Sequence, residues 1–181
     1  VADLATLEPL AVDLARRCQG PMTAKYRNQG TPSNVLMLNH FGVLPTRNYR
    51  EGVFEGANKI SGEALNRFYV ERVGACAGCP VACEHLTVVH EGPYAGARAR
   101  VDYEPLYATS SLWGVDDLAA AIRAIQVASE AGMDAISAGA VVAWAMECYE
   151  RGLLTRQDCD GLELRFGNAA AGIALLEKIA R

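Results

Sequence analysis

Apolar residues recur every three or four positions over much of the chain, which is the spacing of one face of an α-helix. The stretch from Leu4 to Leu14 follows this pattern and Gly20-Pro21 ends it, so we predict a first helix there. A polar loop is predicted from that point to Gly30. Thr31-Pro32 then has the form of an N-cap followed by proline at the first helical position, which predicts another helix.

The middle of the chain is less regular. Residues 42–50 (GVLPTRNYR) form a predicted loop, and Ser61 is the predicted start of a short amphipathic helix that runs to about Val73. Residues 74–103 are rich in Gly, Pro and Cys, and the run His85–His90 (HLTVVH) has the composition of a short strand. We therefore expect irregular structure in this region, with one strand at most.

The helical pattern is strongest in the last third of the chain. Asp116 is the predicted cap of a helix whose apolar stripe ends at Gly132. Asp134 is the predicted cap of a second helix, apolar on most faces, that closes at Gly152, and Asn168 is the predicted cap of a final helix. The short joint between the first two of these helices predicts that they are antiparallel neighbours.

These elements predict an all-α fold, an irregular multi-helix single domain over residues 1–181 with a Gly/Pro/Cys-rich loop. The 181 residues are 51% hydrophobic and 21% charged, which excludes a disordered chain. A net charge of −4 gives no electrostatic basis for binding nucleic acid or a membrane surface. With no membrane-length apolar run and no signal-peptide pattern, a cytoplasmic location is expected. Because the chain begins at Val1 rather than Met, we expect either an excised piece of a longer protein or a processed product.

Three of the six cysteines form a C-x2-C-x3-C motif, made of Cys76, Cys79 and Cys83. Ala77 and Gly78, between the first two cysteines, are small, and two residues between thiolates allow a tight loop. Three clustered cysteines with one distant fourth commonly hold a 4Fe–4S cluster. Structural zinc is the competing interpretation, with His85 as a fourth ligand. Disulfides are disfavoured, because an odd triplet without a secretion signal is a poor framework. The other cysteines that are candidates for a fourth ligand, each more readily structural, are Cys18, Cys148 and Cys159.

Three stretches together resemble the aldehyde ferredoxin oxidoreductase family of tungsten–pterin enzymes. They are LNHFGVLPTRNY (Leu38–Tyr49), CAGCPVAC (Cys76–Cys83), and the run from DYEP through LWGVDDL to GMDAISAGAVVAWAMECYERGLL (Asp102–Leu154). The resemblance implies the first helical domain of a longer enzyme that oxidises aldehydes to carboxylic acids. It implies a tungsten or molybdenum bis-pterin shared with absent segments, and a 4Fe–4S cluster that passes electrons to ferredoxin or a similar carrier. The fourth cluster cysteine of the family lies in a portion outside this chain.

The same resemblance implies roles for particular residues. The family holds its pterins with D-x-x-G-L-[D/C] turns, and the segment from Ser129 to Asp134 is similar, with Met133 in place of Leu. Ser129 replaces the leading Asp, which removes one carboxylate from the expected pterin contacts. Glu104 occupies the stretch where the family carries a glutamate near the metal, and a buried carboxylate there would accept a proton during aldehyde oxidation.

Some members of the family carry an E-x-x-H motif that holds an iron between subunits. The matching positions are Arg123 and Gln126, so we predict no such metal bridge. Two other functions stay open from the sequence. One is an inactive, metal-free helical domain, and the other is a small zinc-stabilised interaction module.

Overall fold

The strongest helical periodicity of the sequence gives the two longest helices of the C-terminal half, α6 and α7, around which the remaining elements are arranged. The structure is a computed structural model that describes residues 3–181. Within that range the α-helices are α1 (Leu4–Cys18), α2 (Ala24–Gln29), α3 (Asn34–His40), α4 (Gly62–Phe68), α5 (Tyr103–Thr109), α6 (Leu118–Glu130), α7 (Ala135–Glu150) and α8 (Ala169–Ile179). The strands are β1 (Val70–Gly74), β2 (Glu84–Val88) and β3 (Arg98–Arg100).

The prediction of a mainly helical chain is confirmed, but the fold is not all-α, because the strands form a small antiparallel sheet in the order β1-β2-β3. The predicted helix from Ser61 ends at Phe68, and β1 occupies the positions where that helix was expected to continue. Strand β1 pairs with β2 with a register shift between Val70 and Arg72, so Val73 lies opposite His85. The predicted strand at 85–90 is confirmed in β2, shifted by one or two residues.

Side-chain caps set the ends of the C-terminal helices largely as predicted. Asp134 accepts a hydrogen bond from the Ser137 backbone N–H at 2.8 Å, and Asn168 caps α8 in the same way. The cap of α6 is Asp117 rather than Asp116, because the Asp117 carboxylate accepts from the first turn. The neighbouring Asp116 instead forms an ion pair with Lys59 at 2.6 Å.

Two apolar clusters form the core. The first lies among α3–α6 and the sheet, and its largest fully buried members include Phe54, Ile60, Leu65, Leu106 and Ile122. The second lies among α6, α7 and α8, around Trp113, Met146, Leu164 and Leu176. Helices α6 and α7 are in contact, as predicted, but α6 packs more extensively on α8 and α7 on α5.

The N-terminal elements lie at the edge of this core. Helix α1 forms as predicted, yet its apolar side chains are exposed and none of its residues is buried in this chain. The predicted loop before Gly30 contains a 3₁₀ turn and the short helix α2. Thr31 does not cap a helix by its side chain. Its hydroxyl accepts a hydrogen bond from the Tyr103 N–H at 2.9 Å and donates one to Asp102 at 3.1 Å.

No helix within residues 3–181 combines the length and the apolar character needed to cross a lipid bilayer.

Candidate functional site

The three clustered cysteines lie in the loop that joins β1 to β2. Gly74 pairs with Glu84 in the sheet, so the last pair of the ladder holds both ends of this loop, residues 75–83. The Cys79 N–H donates to the Cys76 carbonyl at 3.0 Å, which closes a tight turn between the first two cysteines. Gly78, with φ +75°, takes a left-handed conformation in that turn that side chains rarely adopt.

The thiols of this loop differ in their exposure. Cys76 and Cys79 are exposed, whereas Cys83 is half-buried. Burial, with a smaller contribution from the nearby Asp102 carboxylate, raises the pKa of the Cys83 thiol. Across residues 3–181 no three His, Cys, Asp or Glu side chains are already gathered in a metal-binding arrangement, so the thiols do not converge in this conformation. The donor set itself, three sulfurs on a loop anchored by a sheet, suits an iron–sulfur cluster.

His85, the proposed fourth ligand of a zinc site, is enclosed by the protein. Its side chain lies in β2 and has no exposed surface. The ring Nδ1 lies 3.0 Å from the carbonyl oxygen of Cys83, so this nitrogen already interacts with the backbone of the third cysteine. That arrangement does not offer Nδ1 to a metal.

Glu104 lies in the first turn of α5, where its side chain is exposed. The expectation of a buried carboxylate is therefore wrong for this chain. Two tyrosines from the same helix lie beside it, Tyr103 and Tyr107, with ring centroids 5.2 Å apart. Burial raises the pKa of both phenols to about 12, and the negative charge of Glu104 adds to the effect. Both phenols are therefore protonated hydrogen-bond donors at neutral pH.

The segment from Ser129 to Asp134 forms the turn between α6 and α7. The Gly132 N–H donates to the Ser129 carbonyl at 3.1 Å, and the Met133 N–H donates to Ala128 at 2.9 Å, which together make a Schellman motif. Ser129 and Asp134 are exposed, while Met133 is half-buried and packs against the second apolar cluster. Hydrogen bonds from Ser137 lower the pKa of Asp134, so its carboxylate stays ionised well into the acid range.

Glu104 and Asp134, the two acidic residues among the candidate site residues, both lie near the phenol of Tyr107. The charges of Glu104 and Asp134 both raise the pKa of Tyr107, which places these carboxylates within electrostatic reach of one phenol. Tyr49 also interacts with Tyr107 through its side chain. The start of α5, the turn before α7 and the loop of residues 42–50 therefore lie next to one another, although they are far apart in sequence.

Sequence patterns assign no chemical role to the loop that carries Tyr49, and the backbone of this loop is unusual. Arg47, Asn48 and Tyr49 have φ values of 42°, 55° and 61°, three consecutive non-glycine residues in the left-handed region. The Asn48 side chain donates a hydrogen bond to Glu147 on α7 at 2.6 Å. Only the Asn at position 48 was a sequence signal for this conformation, since asparagine tolerates it better than most residues.

The positions that match the iron-bridge motif are held by other contacts. Arg123 forms an ion pair with Glu177 at 2.8 Å, and the Gln126 amide donates to Glu130 at 2.8 Å. A guanidinium and an amide are poor iron ligands, and the absence of a metal bridge between subunits remains a prediction.

The structure thus combines a mainly helical fold with a thiol-bearing hairpin loop and a cluster of tyrosines and carboxylates. Residues 13–181 match the family described as aldehyde ferredoxin oxidoreductase, domains 2 & 3. The chain belongs to this family, which confirms the resemblance of its motifs.

Individual relatives agree with this assignment. The tungsten-containing aldehyde ferredoxin oxidoreductase of Pyrococcus abyssi is 39% identical over 155 residues, which cover 84% of this chain and 25% of the relative. The enzyme of the same name from Pyrococcus furiosus is 35% identical over 153 residues, covering 84% and 25%. An aliphatic sulfonate oxidoreductase, WOR-like subunit, from Pyrococcus furiosus is 30% identical over 156 residues, covering 85% and 25%. The chain thus spans about a quarter of the length of these relatives.

Proposed function

We propose that this chain is the cluster-binding part of an oxidoreductase that oxidises aldehydes to carboxylic acids at a tungsten or molybdenum bis-pterin and passes the electrons to ferredoxin or a similar carrier. The observation that carries this proposal is the C-x2-C-x3-C motif on a sheet-anchored loop, in a chain that belongs to the aldehyde ferredoxin oxidoreductase family. The remaining domains of a longer enzyme would complete the active site.

Cys76, Cys79 and Cys83 would hold a 4Fe–4S cluster, with a fourth ligand from outside this chain. When bound, such a cluster supplies one-electron transfer. The loop supports this role because the Gly74–Glu84 pair fixes its ends. Folding has therefore already removed part of the backbone conformational entropy that ordering three thiolates around a cluster would remove. Exposure of Cys76 and Cys79 leaves their sulfurs accessible to iron during assembly.

Asp134 would contact a pterin while it also caps α7. Its carboxylate accepts the Ser137 N–H and is kept ionised, so an oxygen lone pair remains for ring N–H groups of a ligand. The Met133 side chain packs inward and holds the turn, and Ser129 supplies a hydroxyl where the family has a carboxylate. The chemistry of this turn therefore fits a polar heterocycle, with one fewer charged contact than the family pattern.

Glu104 would accept a proton from the reacting water. Oxidation of an aldehyde to a carboxylic acid by water releases two electrons and two protons, so the site needs a base. Tyr107, with its raised pKa, would remain protonated and donate a hydrogen bond to a carbonyl oxygen.

The substrate of one relative suggests a second candidate. The relative named an aliphatic sulfonate oxidoreductase is 30% identical, so a sulfonate is an alternative substrate class. Carrier reduction measured with a series of aldehydes and of short alkyl sulfonates would separate the two classes in the full-length enzyme.

The decisive experiment is anaerobic purification of the full-length enzyme, followed by metal analysis and an electron paramagnetic resonance spectrum. About four irons with tungsten or molybdenum, and aldehyde-dependent reduction of ferredoxin, would support the proposal. One zinc without iron would support the interaction module, and a metal-free sample would support the inactive domain. Either result would overturn the proposal.

Two substitutions refine this test. Cys79→Ala should remove the cluster and stop ferredoxin reduction, whereas Cys159→Ala, a half-buried cysteine outside the loop, should keep both. Glu104→Gln should retain iron and tungsten but lose turnover by about 100-fold or more, the usual effect of removing a general base. A Glu104→Gln enzyme with normal turnover would refute its role.

A further inference from the structure

The feature that the proposed function does not use is the imidazole of His85. It is completely buried, and its Nδ1 lies 3.0 Å from the Cys83 carbonyl oxygen. The other ring nitrogen, Nε2, is also buried and has no hydrogen-bond partner within residues 3–181. A carbonyl oxygen can only accept, so we assign the ring proton to Nδ1. The single polar interaction of this side chain is therefore made to the backbone of a cluster cysteine.

The surrounding chain holds both the backbone and the ring of His85. The backbone of His85 is held within the sheet, since Val73 lies opposite it and the Val101 N–H donates to its carbonyl at 3.0 Å. Gly30 packs against the imidazole so closely that a Cβ at that position would lie 2.6 Å from Nδ1. Because the enclosure is built by this chain itself, it does not depend on the remaining domains of the enzyme.

The hydrogen bond from His85 to the Cys83 carbonyl lies next to a strained backbone position of the cysteine loop. Ala82, the residue before Cys83, has φ +56°, a left-handed conformation that costs a non-glycine residue free energy and persists only when neighbouring contacts hold it. A leucine at position 85 would fill a similar volume without a buried, unpaired nitrogen. What the imidazole adds is the hydrogen bond that fixes the carbonyl of Cys83.

We propose that His85 is a positioning residue for the iron–sulfur cluster: its Nδ1–H holds the Cys83 carbonyl and so fixes the direction in which the third thiolate projects. This inference rests on the proposed function. Groups that orient metal ligands in this way change metal affinity by about 10–100-fold when they are removed.

The test compares His85→Leu with His85→Asn in the full-length holoenzyme. Asparagine carries its amide nitrogen at about the position of Nδ1 and keeps the donor, while leucine has nearly the same shape and lacks it. The His85→Leu enzyme should lose iron about 10-fold faster in air and show shifted g-values for its reduced cluster. The His85→Asn enzyme should resemble the wild type, as should His90→Leu, which changes an exposed histidine.

The outcomes separate this inference from the function on which it rests. A wild-type enzyme without a cluster overturns the proposed function itself. A wild-type enzyme with a cluster, and a His85→Leu enzyme with unchanged g-values and iron retention, overturns the positioning role alone. If His85→Leu does not fold, His85→Gln replaces it, because its amide reaches beyond the Nδ1 position. Equal spectra for His85→Asn and His85→Gln would then contradict the inference.

Discussion

Replacing Gly139 by alanine tests how closely α5 and α7 approach each other, and thereby what sets the relative positions of Glu104 and Asp134. Gly139 is buried where α7 crosses α5. A Cβ at this position would lie 2.9 Å from the Ala108 carbonyl carbon and closer still to its oxygen. Because these atoms belong to the backbone, no side-chain rotation relieves the overlap, and the helices have to separate.

Two contributions lower the free energy of unfolding of the Gly139→Ala variant, and one raises it. Crowding in a packed core costs about 1–3 kcal/mol. The Gly139 carbonyl accepts a hydrogen bond from the Trp113 indole N–H at 2.8 Å, and loss of this bond adds about 1 kcal/mol. The better helix propensity of alanine offsets about 1 kcal/mol. The free energy of unfolding should therefore fall by about 1–3 kcal/mol.

Urea unfolding of the chain, followed by tryptophan fluorescence, measures this change. Trp113 is 1% exposed and reports directly on the contact, while Val141→Ala, on the exposed face of the same helix, is the matched control. The control should change the free energy of unfolding by about 0.5 kcal/mol or less. A Gly139→Ala variant as stable as the wild type, or more stable, would refute the close approach of α5 and α7.

Three further predictions concern the site. Asp134→Ala should lower the melting temperature more than Asp134→Asn, because asparagine also caps a helix, and calorimetry checks this. Since the pKa of Asp134 is lowered in the folded chain, its contribution to stability is present above its unfolded pKa and disappears as the pH falls through its folded pKa. In the metal-free chain, iodoacetamide should modify exposed Cys79 before Cys83, whose pKa is raised by burial, as measured by peptide mass mapping. Asn48→Ala should lower the urea midpoint more than Asn48→Gly, because both lose the bond to Glu147 but glycine accepts the left-handed backbone.

Each of these predictions has a contrary result. Equal melting temperatures for the two Asp134 variants would show that the cap contributes nothing to stability. Equal alkylation rates for the two cysteines would contradict the difference in burial. An Asn48→Gly variant less stable than Asn48→Ala would show that the loop is not held in the left-handed region.

Local signals in the sequence predicted the C-terminal helices well. Gly132 and Asp134 mark the end of α6 and the start of α7 because a left-handed C-terminal residue and a carboxylate cap act within one turn of the helix. Asp116 was the wrong cap for α6 because two consecutive aspartates offer equal local chemistry. The choice between them depends on Lys59, which is distant in sequence and pairs with Asp116.

The sheet was missed for a related reason. Considered alone, the sequence of β1 favours the end of a helix. Its strand conformation depends on pairing with β2, which lies on the other side of the cysteine loop. Strand β3 is three residues long and carries no periodic signal. Thr31 likewise has the local form of a cap, but its hydroxyl bonds to the start of α5, which only the folded chain brings near.

The candidate site follows the same division between local and distant information. The spacing of Cys76, Cys79 and Cys83 predicts the kind of ligand without the fold, because a motif of three thiols is itself the donor set. Cys83 lies near the helix that carries Glu104 because β2, which follows Cys83, pairs with β3, which leads into α5. Asp102, at the junction of β3 and α5, accepts a hydrogen bond from the Thr31 hydroxyl, and its charge raises the pKa of the nearby Cys83 thiol. The proposed electron-transfer and proton-transfer residues are thereby held in one part of the fold by contacts that no spacing in the sequence contains.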